Sequence, residues 1–241
     1  MPEVKHIVAL SGGKDSTAMA LRLAEVEPRD YTYICTPTGN EMPAMHEHWR
    51  QLSQRLGKPI ITPPGVPTLE GLIQIQQALP NHRMRWCTRL IKIKPFEAFV
   101  RANLPCVVYV GIRADESGDR EGVDYDSIAG VSRDFPLDRW GWVLQDVIDY
   151  LQAVGQGVPE RTDCAWCFYQ TLYEWFLLWR DNRELWMLGE LYELAVGHTL
   201  RSDSRDTWPA AMRGLRARFE AGHVPKDRRK KRATMCSVCA R

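Results

Sequence analysis

An apolar run at residues 7–10 breaks into the hexamer Ser11-Gly12-Gly13-Lys14-Asp15-Ser16, and a segment rich in alanine, leucine and methionine follows. This order predicts a strand, a glycine turn and a helix. Adjacent glycines let backbone N–H groups at the helix start approach an anion, and Ser11, Ser16 and Thr17 add hydroxyl donors. The glycine spacing differs from that of a Walker A loop. The hexamer therefore predicts a phosphate-binding turn, and the alternative interpretation is a tight turn with a helix cap.

The first half of the chain alternates strand-like and helix-like segments, which predicts a parallel sheet covered by helices. The predicted strands are 6–10, 31–36, 59–62 and 107–111. The predicted helices are 16–27, 45–56, 69–78, 94–102 and 142–150. Loops at the carboxyl ends of parallel strands carry ligands. We therefore expect the segments after Leu10, Thr36 and Val110 to converge on one crevice.

The second half of the chain has a different character. Residues 170–178 are apolar and aromatic, 182–195 have helical spacing, and the chain becomes polar and basic from about residue 200. Tryptophan and tyrosine side chains in such a helical region are typical of a core rather than of a platform for stacking bases. The predicted organisation is an α/β nucleotide-binding domain over residues 1–140 and a helical region over residues 141–241.

Composition and charge limit the class of protein. The chain has 44% hydrophobic residues and a net charge of +2, and no apolar run approaches the roughly 20 residues that span a bilayer. The first residues lack the regions of a signal peptide. We expect a cytoplasmic protein without a membrane partner. The basic tail at 226–232 is either a solvated tail or a site for phosphate-bearing ligands or nucleic acid.

Six of the seven cysteines form two groups. Two Cys-x-x-Cys pairs, Cys164/Cys167 and Cys236/Cys239, indicate metal or redox chemistry rather than disulfide staples in a reducing compartment. Cys35 and Cys106 lie in or beside apolar strands, where a cysteine is typically a small buried hydrophobe.

The hexamer resembles the Ser-Gly-Gly-x-Asp-Ser signature of the PP-loop family, the ATP pyrophosphatases and their relatives. Three further segments, 38–43, 85–95 and 111–117, follow in the order found in the PAPS reductase branch. Over roughly residues 5–170 the chain is similar to PAPS reductase and DndC-like proteins, including phage and mobile-element types. The resemblance implies a Rossmann-like, adenine nucleotide alpha hydrolase-like parallel sheet with covering helices, followed by a helical cysteine-bearing part.

The resemblance also implies which residues contact an adenine nucleotide, either ATP or a sulfonucleotide such as PAPS or APS. They are Ser11, Gly12, Gly13, Lys14, Asp15, Ser16, Thr38, Gly39, Glu41, Lys92, Gly111, Arg113, Glu116 and Ser117. The implied catalytic residues are Lys14, Asp15, Arg113, Arg120, Cys236 and Cys239. The hexamer would hold the β,γ-phosphates with Mg²⁺ shared by Asp15, and the two arginines would steady charge at the α-phosphate.

A metal site is implied by the same resemblance. Iron–sulfur sulfonucleotide reductases use adjacent cysteines before the lysine–proline segment and a Cys-x-x-Cys about eighty residues later. Cys87, Cys164 and Cys167 match three of these four ligands, and Cys236 or Cys239 would complete the site. Because thiolates bind iron–sulfur clusters and zinc alike, a [4Fe-4S] cluster, zinc and no metal all stay open.

Three functions remain compatible with these features. The first is an enzyme that binds ATP and activates an acceptor by adenylation with pyrophosphate release, or transfers sulfur. The second is reduction of a sulfonucleotide by a C-terminal cysteine nucleophile. The third is a nucleotide-sensing or nucleic-acid-binding module without turnover. An oligomer and a sulfur-donor or redox partner protein are compatible with the enzymatic hypotheses.

Overall fold

The computed structural model describes residues 3–116 and 128–227 and contains a parallel five-stranded sheet. The strands are β1 (Lys5–Ala9), β2 (Tyr31–Ile34), β3 (Ile60–Ile61), β4 (Cys106–Tyr109) and β5 (Val131–Asp134). Their order is β3-β2-β1-β4-β5, and every neighbouring pair is parallel. The predicted α/β class is confirmed. Because the chain changes direction across the sheet between β1 and β4, the crevice expected for a ligand lies at the carboxyl ends of these two strands.

The helices of the sheet region follow the predicted alternation. They are α1 (Lys14–Val26), α2 (Pro43–Leu56), α3 (Leu69–Gln76), α4 (Lys94–Arg101), α5 (Pro136–Arg139) and α6 (Leu144–Ala153). A π-helix at Thr88–Ile93 runs directly into α4. Single-turn π segments inside helices are frequent at functional sites. The sequence pattern did not reveal this π segment, because it predicted helix only from residue 94.

The sheet buries apolar side chains on both faces. Ile7 packs with Phe96 and Val100 of α4, whereas its neighbour Val8 packs on the opposite face with α1 and α6. Alternate strand residues point to opposite faces, so a strand covered on both sides is apolar throughout. Helix α6 packs on α1 through a core that includes Val147, and the domain boundary expected at residue 140 stays a prediction.

The helical region consists of α7 (Leu172–Asp181), α8 (Arg183–Val196) and α9 (Met212–Glu220). It has its own core, in which Trp166, Trp175 and Trp186 are almost completely buried. This burial confirms that these aromatic residues are core residues. Helix α9 lies within the region expected to be helical, in its polar and basic part, for which the sequence predicted no individual helix. None of the helices in residues 3–116 and 128–227 is long and apolar enough to cross a membrane.

Candidate functional site

The glycine turn after β1 has the geometry of an anion-binding turn. Gly12 has φ +84°, and Gly13 is the extended residue before α1, whose first turn has no side-chain cap. The uncapped N–H groups of a helix start and its dipole favour an anion. The Ser11 and Ser16 hydroxyl oxygens lie 3.0 Å apart, and the Ser16 hydroxyl donates to the Gly13 carbonyl at 3.1 Å.

Glycine is required at position 12 for a second reason besides its positive φ. A Cβ atom there would overlap the indole nitrogen of Trp49 and lie 2.8 Å from the methyl carbon of Met45. Both side chains come from α2, so this helix packs directly under the turn. Trp49 Nε1 is buried and has no hydrogen-bond partner among the residues that the structure describes. The indole therefore presents an unsatisfied donor beside the turn.

The loop after β4 meets the start of α1 through a buried arginine. Arg113 is 0% exposed, and its guanidinium contacts Asp15 at 2.9 Å, Asp115 at 2.8 Å and Glu116 at 3.1 Å. Burial alone would lower the pKa of Arg113, but hydrogen bonds and charges of the carboxylates raise it above its ordinary value. Lys14 Nζ lies 3.4 Å from the other oxygen of Asp15. The acidic residue of the hexamer is thus held between two cations.

The loop after β2 holds the first Cys-x-x-Cys segment. The backbone N–H and the hydroxyl of Thr38 donate to Glu41 at 2.6 and 2.7 Å. The Asn40 carbonyl accepts from the Ala165 N–H at 2.7 Å, and Asn40 Oδ1 accepts from the Trp166 N–H at 3.2 Å. These hydrogen bonds fix the Cys-x-x-Cys segment at residues 164–167 on the loop that follows β2.

Cys87, Cys164 and Cys167 line one cavity of about 30 Å³. Thr38 of the β2 loop lines the same cavity, as does Lys92 of the π-helix. A hydrogen bond with Cys164 and burial raise the pKa of Cys167. Burial also raises the pKa of Cys87, and the nearby charge of Lys92 opposes this shift. The cavity therefore favours the neutral thiols of Cys87 and Cys167 unless a cation or a metal stabilises their thiolates.

The donor set fits a soft metal ion only in part. Three thiols line the cavity, but no group of three or more His, Cys, Asp or Glu side chains is close enough to hold a metal within residues 3–116 and 128–227. Cys35 and Cys106 are buried at the sheet, as expected. A fourth thiol would have to come from Cys236 or Cys239, which lie outside the described residues.

A second, larger cavity of about 370 Å³ lies beside the glycine turn. Trp49 of α2 lines it together with Cys35 and Pro37, which follow β2. His46 and Arg50 form its exposed rim. The cavity lies between α2 and the ends of β2 and β3, and Trp49, which lines it, also lies under Gly12 of the glycine turn.

A family model described as phosphoadenosine phosphosulfate reductase domain matches residues 5–159, which is well over half of the chain. The chain belongs to this family. The match confirms the PAPS reductase-like branch of the PP-loop superfamily.

Relatives of this PAPS reductase-family chain include two uncharacterized proteins of Methanocaldococcus jannaschii. One is 25% identical over 66% of the chain and 40% of its own length, and the other is 26% identical over 80% of the chain and 43% of its own length. The chain thus spans less than half of each relative. A crystal structure of PAPS reductase from Candida auris, a phosphate complex, aligns with a TM-score of 0.49 at 17% identity, covering 66% of this chain and 76% of that one.

The structure brings the predicted site residues of the PAPS reductase-family chain into two neighbouring groups. The first is the PP-loop cluster, formed at the ends of β1 and β4 by Ser11, Gly12, Gly13, Lys14, Asp15, Ser16, Gly111, Arg113 and Glu116. The second is the cysteine cluster, formed by Thr38, Gly39, Glu41, Cys87, Lys92, Cys164 and Cys167. The two groups approach each other at Gly13 and Thr162, which lies two residues before Cys164. A Cβ atom built on Gly13 would be 3.8 Å from the Thr162 hydroxyl oxygen. Ser117, Arg120, Cys236, Cys239 and the basic run 228–232 lie outside the described residues.

Several residues of this site were not identified from the sequence. Asp115 binds Arg113, Asn40 holds the cysteine segment, and Trp49 lies under Gly12. His48 is buried beside α1, where its Nε2 lies 3.2 Å from the Thr17 hydroxyl. Asp115 and Asn40 belong to segments already singled out, and the four-residue spacing of Met45 and Trp49 was the available signal for the α2 contact.

Proposed function

We propose that this domain binds an adenine nucleotide with its phosphates on the PP-loop cluster and uses the nucleotide in sulfur chemistry at the cysteine cluster. The observation that supports the proposal is that the loop after β2 both lines the cysteine cavity and holds the Cys-x-x-Cys segment. Thr38 lines the thiol cavity, and its neighbour Asn40 anchors the Cys-x-x-Cys segment beside the glycine turn. Reacting groups held in neighbouring positions gain a large advantage over groups that meet by diffusion.

In this proposal the phosphates are held mainly by neutral donors and Lys14. The uncapped N–H groups at the start of α1 and the Ser11 and Ser16 hydroxyls suit phosphate oxygens. Arg113 is enclosed by three carboxylates, so we assign it to positioning Asp15 rather than to direct contact with the α-phosphate. Mg²⁺, when bound, would neutralise phosphate charge next to Asp15.

The adenine base would occupy the cavity of about 370 Å³ beside Gly12. Nucleotide bases need an apolar surface and a few placed polar groups. The cavity offers Pro37, Ile60 and the ring of Trp49 as apolar surface, and the hydroxyls of Ser53 and Thr62 as polar groups. With the base there, the phosphates would point across the glycine turn.

The first chemical assignment is activation of an acceptor by ATP. An acceptor oxygen attacks the α-phosphorus, the bond to the β-phosphate oxygen breaks, and pyrophosphate leaves while Lys14 steadies its charge. A persulfide of a donor protein would transfer its outer sulfur to one thiol of the cysteine cluster and leave the donor as a thiol. The terminal sulfur of that cluster persulfide would displace AMP from the adenylated acceptor and form an acceptor–sulfur–sulfur–cysteine link. Attack of a second cluster thiol on the cysteine sulfur of this link would release the thiolated acceptor and leave a disulfide, which an external dithiol reductant reduces. If a [4Fe-4S] cluster or zinc binds, Cys87, Cys164 and Cys167 would supply three thiolate ligands, and the group would hold sulfur ligands in place.

The second candidate is reduction of a sulfonucleotide, which the family match favours. A C-terminal thiolate attacks the sulfur of the sulfonucleotide, the sulfur–oxygen bond to the phosphate breaks, and the nucleotide leaves. A dithiol reductant such as thioredoxin then releases sulfite and becomes a disulfide. Cys236 and Cys239 provide the nucleophile in this candidate.

One assay distinguishes the two candidates. Anaerobically purified protein is incubated with ATP or with PAPS plus a thioredoxin system, and pyrophosphate and sulfite are quantified. We expect pyrophosphate with ATP, and we expect Lys14→Ala to abolish both turnover and ATP binding while the exposed-site control Lys5→Ala retains them. Sulfite release from PAPS without ATP consumption would establish the second candidate, and neither product together with unchanged ATP affinity of Lys14→Ala would reject the proposed site.

The metal assignment has its own readout on the same sample. Iron, zinc and sulfide are quantified in the wild type, in Cys164→Ser and in the matched variant Cys35→Ser, whose thiol does not line the cysteine cavity. We expect loss of the bound metal in Cys164→Ser only. Equal metal content in both variants would show that the cysteine cluster does not hold it.

A further inference from the structure

An aromatic cluster in the helical region is covered by exposed arginines. The rings of Phe176, Trp179 and Phe219 contact one another at centroid distances of 5.3 to 5.8 Å, and Trp208 lies 6.0 Å from Phe219. These four rings join the end of α7 to α9 and form part of the helical core. The cluster thus gives several side chains a fixed surface on which to stack.

Three arginines lie on these rings, and all three are exposed. The Arg183 guanidinium lies 3.9 Å from the Trp179 ring centroid, Arg180 lies 5.8 Å from Phe176, and Arg218 lies 5.9 Å from Trp208. Arg180 also pairs with Asp181 at 2.6 Å. Within residues 3–116 and 128–227, neither Arg183 nor Arg218 forms an ion pair with a carboxylate. Two of the three stacked guanidinium groups therefore have charge that no carboxylate of the described chain neutralises.

The dipole of α8 does not explain why an arginine occupies position 183. It is the first residue of α8, and a cation at the N-terminus of a helix is disfavoured by the helix dipole. Stacking on an aromatic ring holds the planar guanidinium in one orientation and leaves its N–H edge available for an oxyanion. Such a pre-ordered group loses less conformational entropy when it binds a phosphate.

The sequence around and after α9 is strongly basic. Residues 212–232 contain nine lysines and arginines but only Glu220 and Asp227 as acidic residues. After α9 the chain turns back, because the His223 N–H donates to the Arg218 carbonyl at 3.1 Å. Lys226 follows and is exposed. The basic run at 228–232 therefore begins within ten residues of the arginine stacked on Trp208.

We infer that the exposed face formed by Arg183 and Arg218 over their tryptophans is a nucleic-acid backbone site. The rings beneath the arginines are buried or half-buried, so they support the guanidinium groups rather than stack with bases. Contacts to phosphates without base contacts give affinity that depends on salt and not on sequence. The inference does not depend on the proposed nucleotide site, because none of these residues belongs to the PP-loop cluster or the cysteine cluster.

The test compares two double variants of the full chain that lose the same charge. Arg183→Gln/Arg218→Gln alters the proposed face, whereas Arg22→Gln/Arg101→Gln removes two arginines of α1 and α4 whose side chains are 40% and 56% exposed. The probe is a fluorescein-labelled single strand of about 30 nucleotides, long enough to exceed common site sizes, and the same sequence as a duplex. Fluorescence anisotropy is measured over a range of salt concentrations, and far-UV circular dichroism verifies unchanged helix content.

We expect Arg183→Gln/Arg218→Gln to weaken binding about tenfold and to make the slope of log affinity against log salt shallower by about 1.5 to 2. The control double variant should bind within about twofold of the wild type, as expected for charges outside the contact. Equal affinities of the two double variants would overturn the inference. So would wild-type protein that binds phosphatidylserine vesicles but neither oligonucleotide, since the basic face would then serve an anionic membrane.

Discussion

The PP-loop cluster and the cysteine cluster are neighbours, but their polar groups are satisfied very differently. In the PP-loop cluster, Arg113 binds three carboxylates and Lys14 binds one of them. Four buried atoms around the cysteine cluster have no partner among the described residues, and they are Asn40 Nδ2, Glu41 Oε2, Trp86 Nε1 and Gln170 Oε1. Beside the PP-loop cluster this is true of the α2 atoms Trp49 Nε1 and His48 Nδ1, but not of the charged groups of the cluster itself. Buried polar atoms without partners cost free energy, so the two regions differ in how completely the fold itself determines them.

This difference indicates two kinds of preparation for a ligand. The PP-loop cluster is a rigid cradle in which the charged side chains are already paired with one another before a nucleotide binds. Such preorganisation reduces reorganisation during a reaction. The cysteine cluster has a pair of hydrogen-bonded thiols and unsatisfied donors and acceptors around a small cavity. A bound group or a further segment of chain would satisfy those atoms. The first region is therefore stable by itself, whereas the second gains most from its ligand.

The largest loss of unfolding free energy is expected from Arg113→Ala, because Arg113 lies at the centre of the PP-loop cluster. Arg113→Ala leaves Asp15, Asp115 and Glu116 without their shared cation, and Asp15 and Glu116 are buried. Breaking a buried ion pair on one side costs about 3–5 kcal/mol of unfolding free energy. Urea unfolding monitored by tryptophan fluorescence measures the loss.

The control is Arg139→Ala. Arg139 also bridges two carboxylates, Glu27 and Asp134, but its side chain is 45% exposed. Surface ion pairs contribute about 0–1 kcal/mol. If Arg113→Ala and Arg139→Ala cost the same, the carboxylates around Arg113 do not depend on it, and the contrast between a rigid and an open region is wrong.

A smaller effect, dependent on pH, is expected in the helical region. Burial raises the pKa of Glu193 on α8 to about 7, while its two oxygens accept from the Leu200 and Met212 N–H groups at 3.0 and 2.6 Å. Below its unfolded pKa of 4.5 the carboxyl is neutral in both states, and between 4.5 and about 7 only the unfolded state loses the proton. The free energy of unfolding should therefore fall by up to about 3 kcal/mol as pH rises through this window, and stay level above it.

Glu193→Gln tests the source of this slope, with Glu220→Gln as the exposed control. Urea midpoints at several pH values between 4 and 8 should show a shallower dependence in Glu193→Gln and an unchanged one in Glu220→Gln. The same slope in wild type and Glu193→Gln would mean that other groups set the pH dependence of this region.

The parts of the molecule that the sequence predicted are those with local, repeated patterns. Apolar runs and helical spacing predicted β1, β2 and β4, and the glycine hexamer predicted the turn before α1. The strand β5 was missed because Val131–Asp134 contains one apolar residue and three polar ones, and it lies at the edge of the sheet. Helix α9 was missed within a basic stretch, although its buried residues Met212, Leu215 and Phe219 have helical spacing.

The contacts that assemble the site are of another kind. Asn40 is 126 residues from Trp166, and Asp15 is 98 residues from Arg113. A single sequence contains the side chains for such pairs but no local pattern that joins them. Resemblance to the PAPS reductase branch predicted that these segments matter, while the identity of the partners came from the packing of loops at the sheet edge.

The smallest effect is expected at Asn40, which connects the two regions. Asn40→Ala removes the acceptor of the Trp166 N–H, and Trp166 is 1% exposed, so the loss leaves a buried donor without a partner. Such a change costs about 1–3 kcal/mol of unfolding free energy.

The same variant should change the reactivity of the thiols. Because the cysteine segment rests on the β2 loop, local opening of this segment should become more frequent. Cys164 and Cys167 should therefore be alkylated faster, while the alkylation rates of Cys35 and Cys106 stay the same. Mass spectrometry of alkylated peptides over time measures each thiol separately. Asn103→Ala, which removes hydrogen bonds to Lys5 and the Phe99 carbonyl far along the chain from the cysteine segment, is the control and should leave the alkylation rates of Cys164 and Cys167 unchanged. If Asn40→Ala also leaves them unchanged, the cysteine cluster is held by its own helices, and nucleotide binding at the PP-loop cluster would have no route through the β2 loop to the thiols.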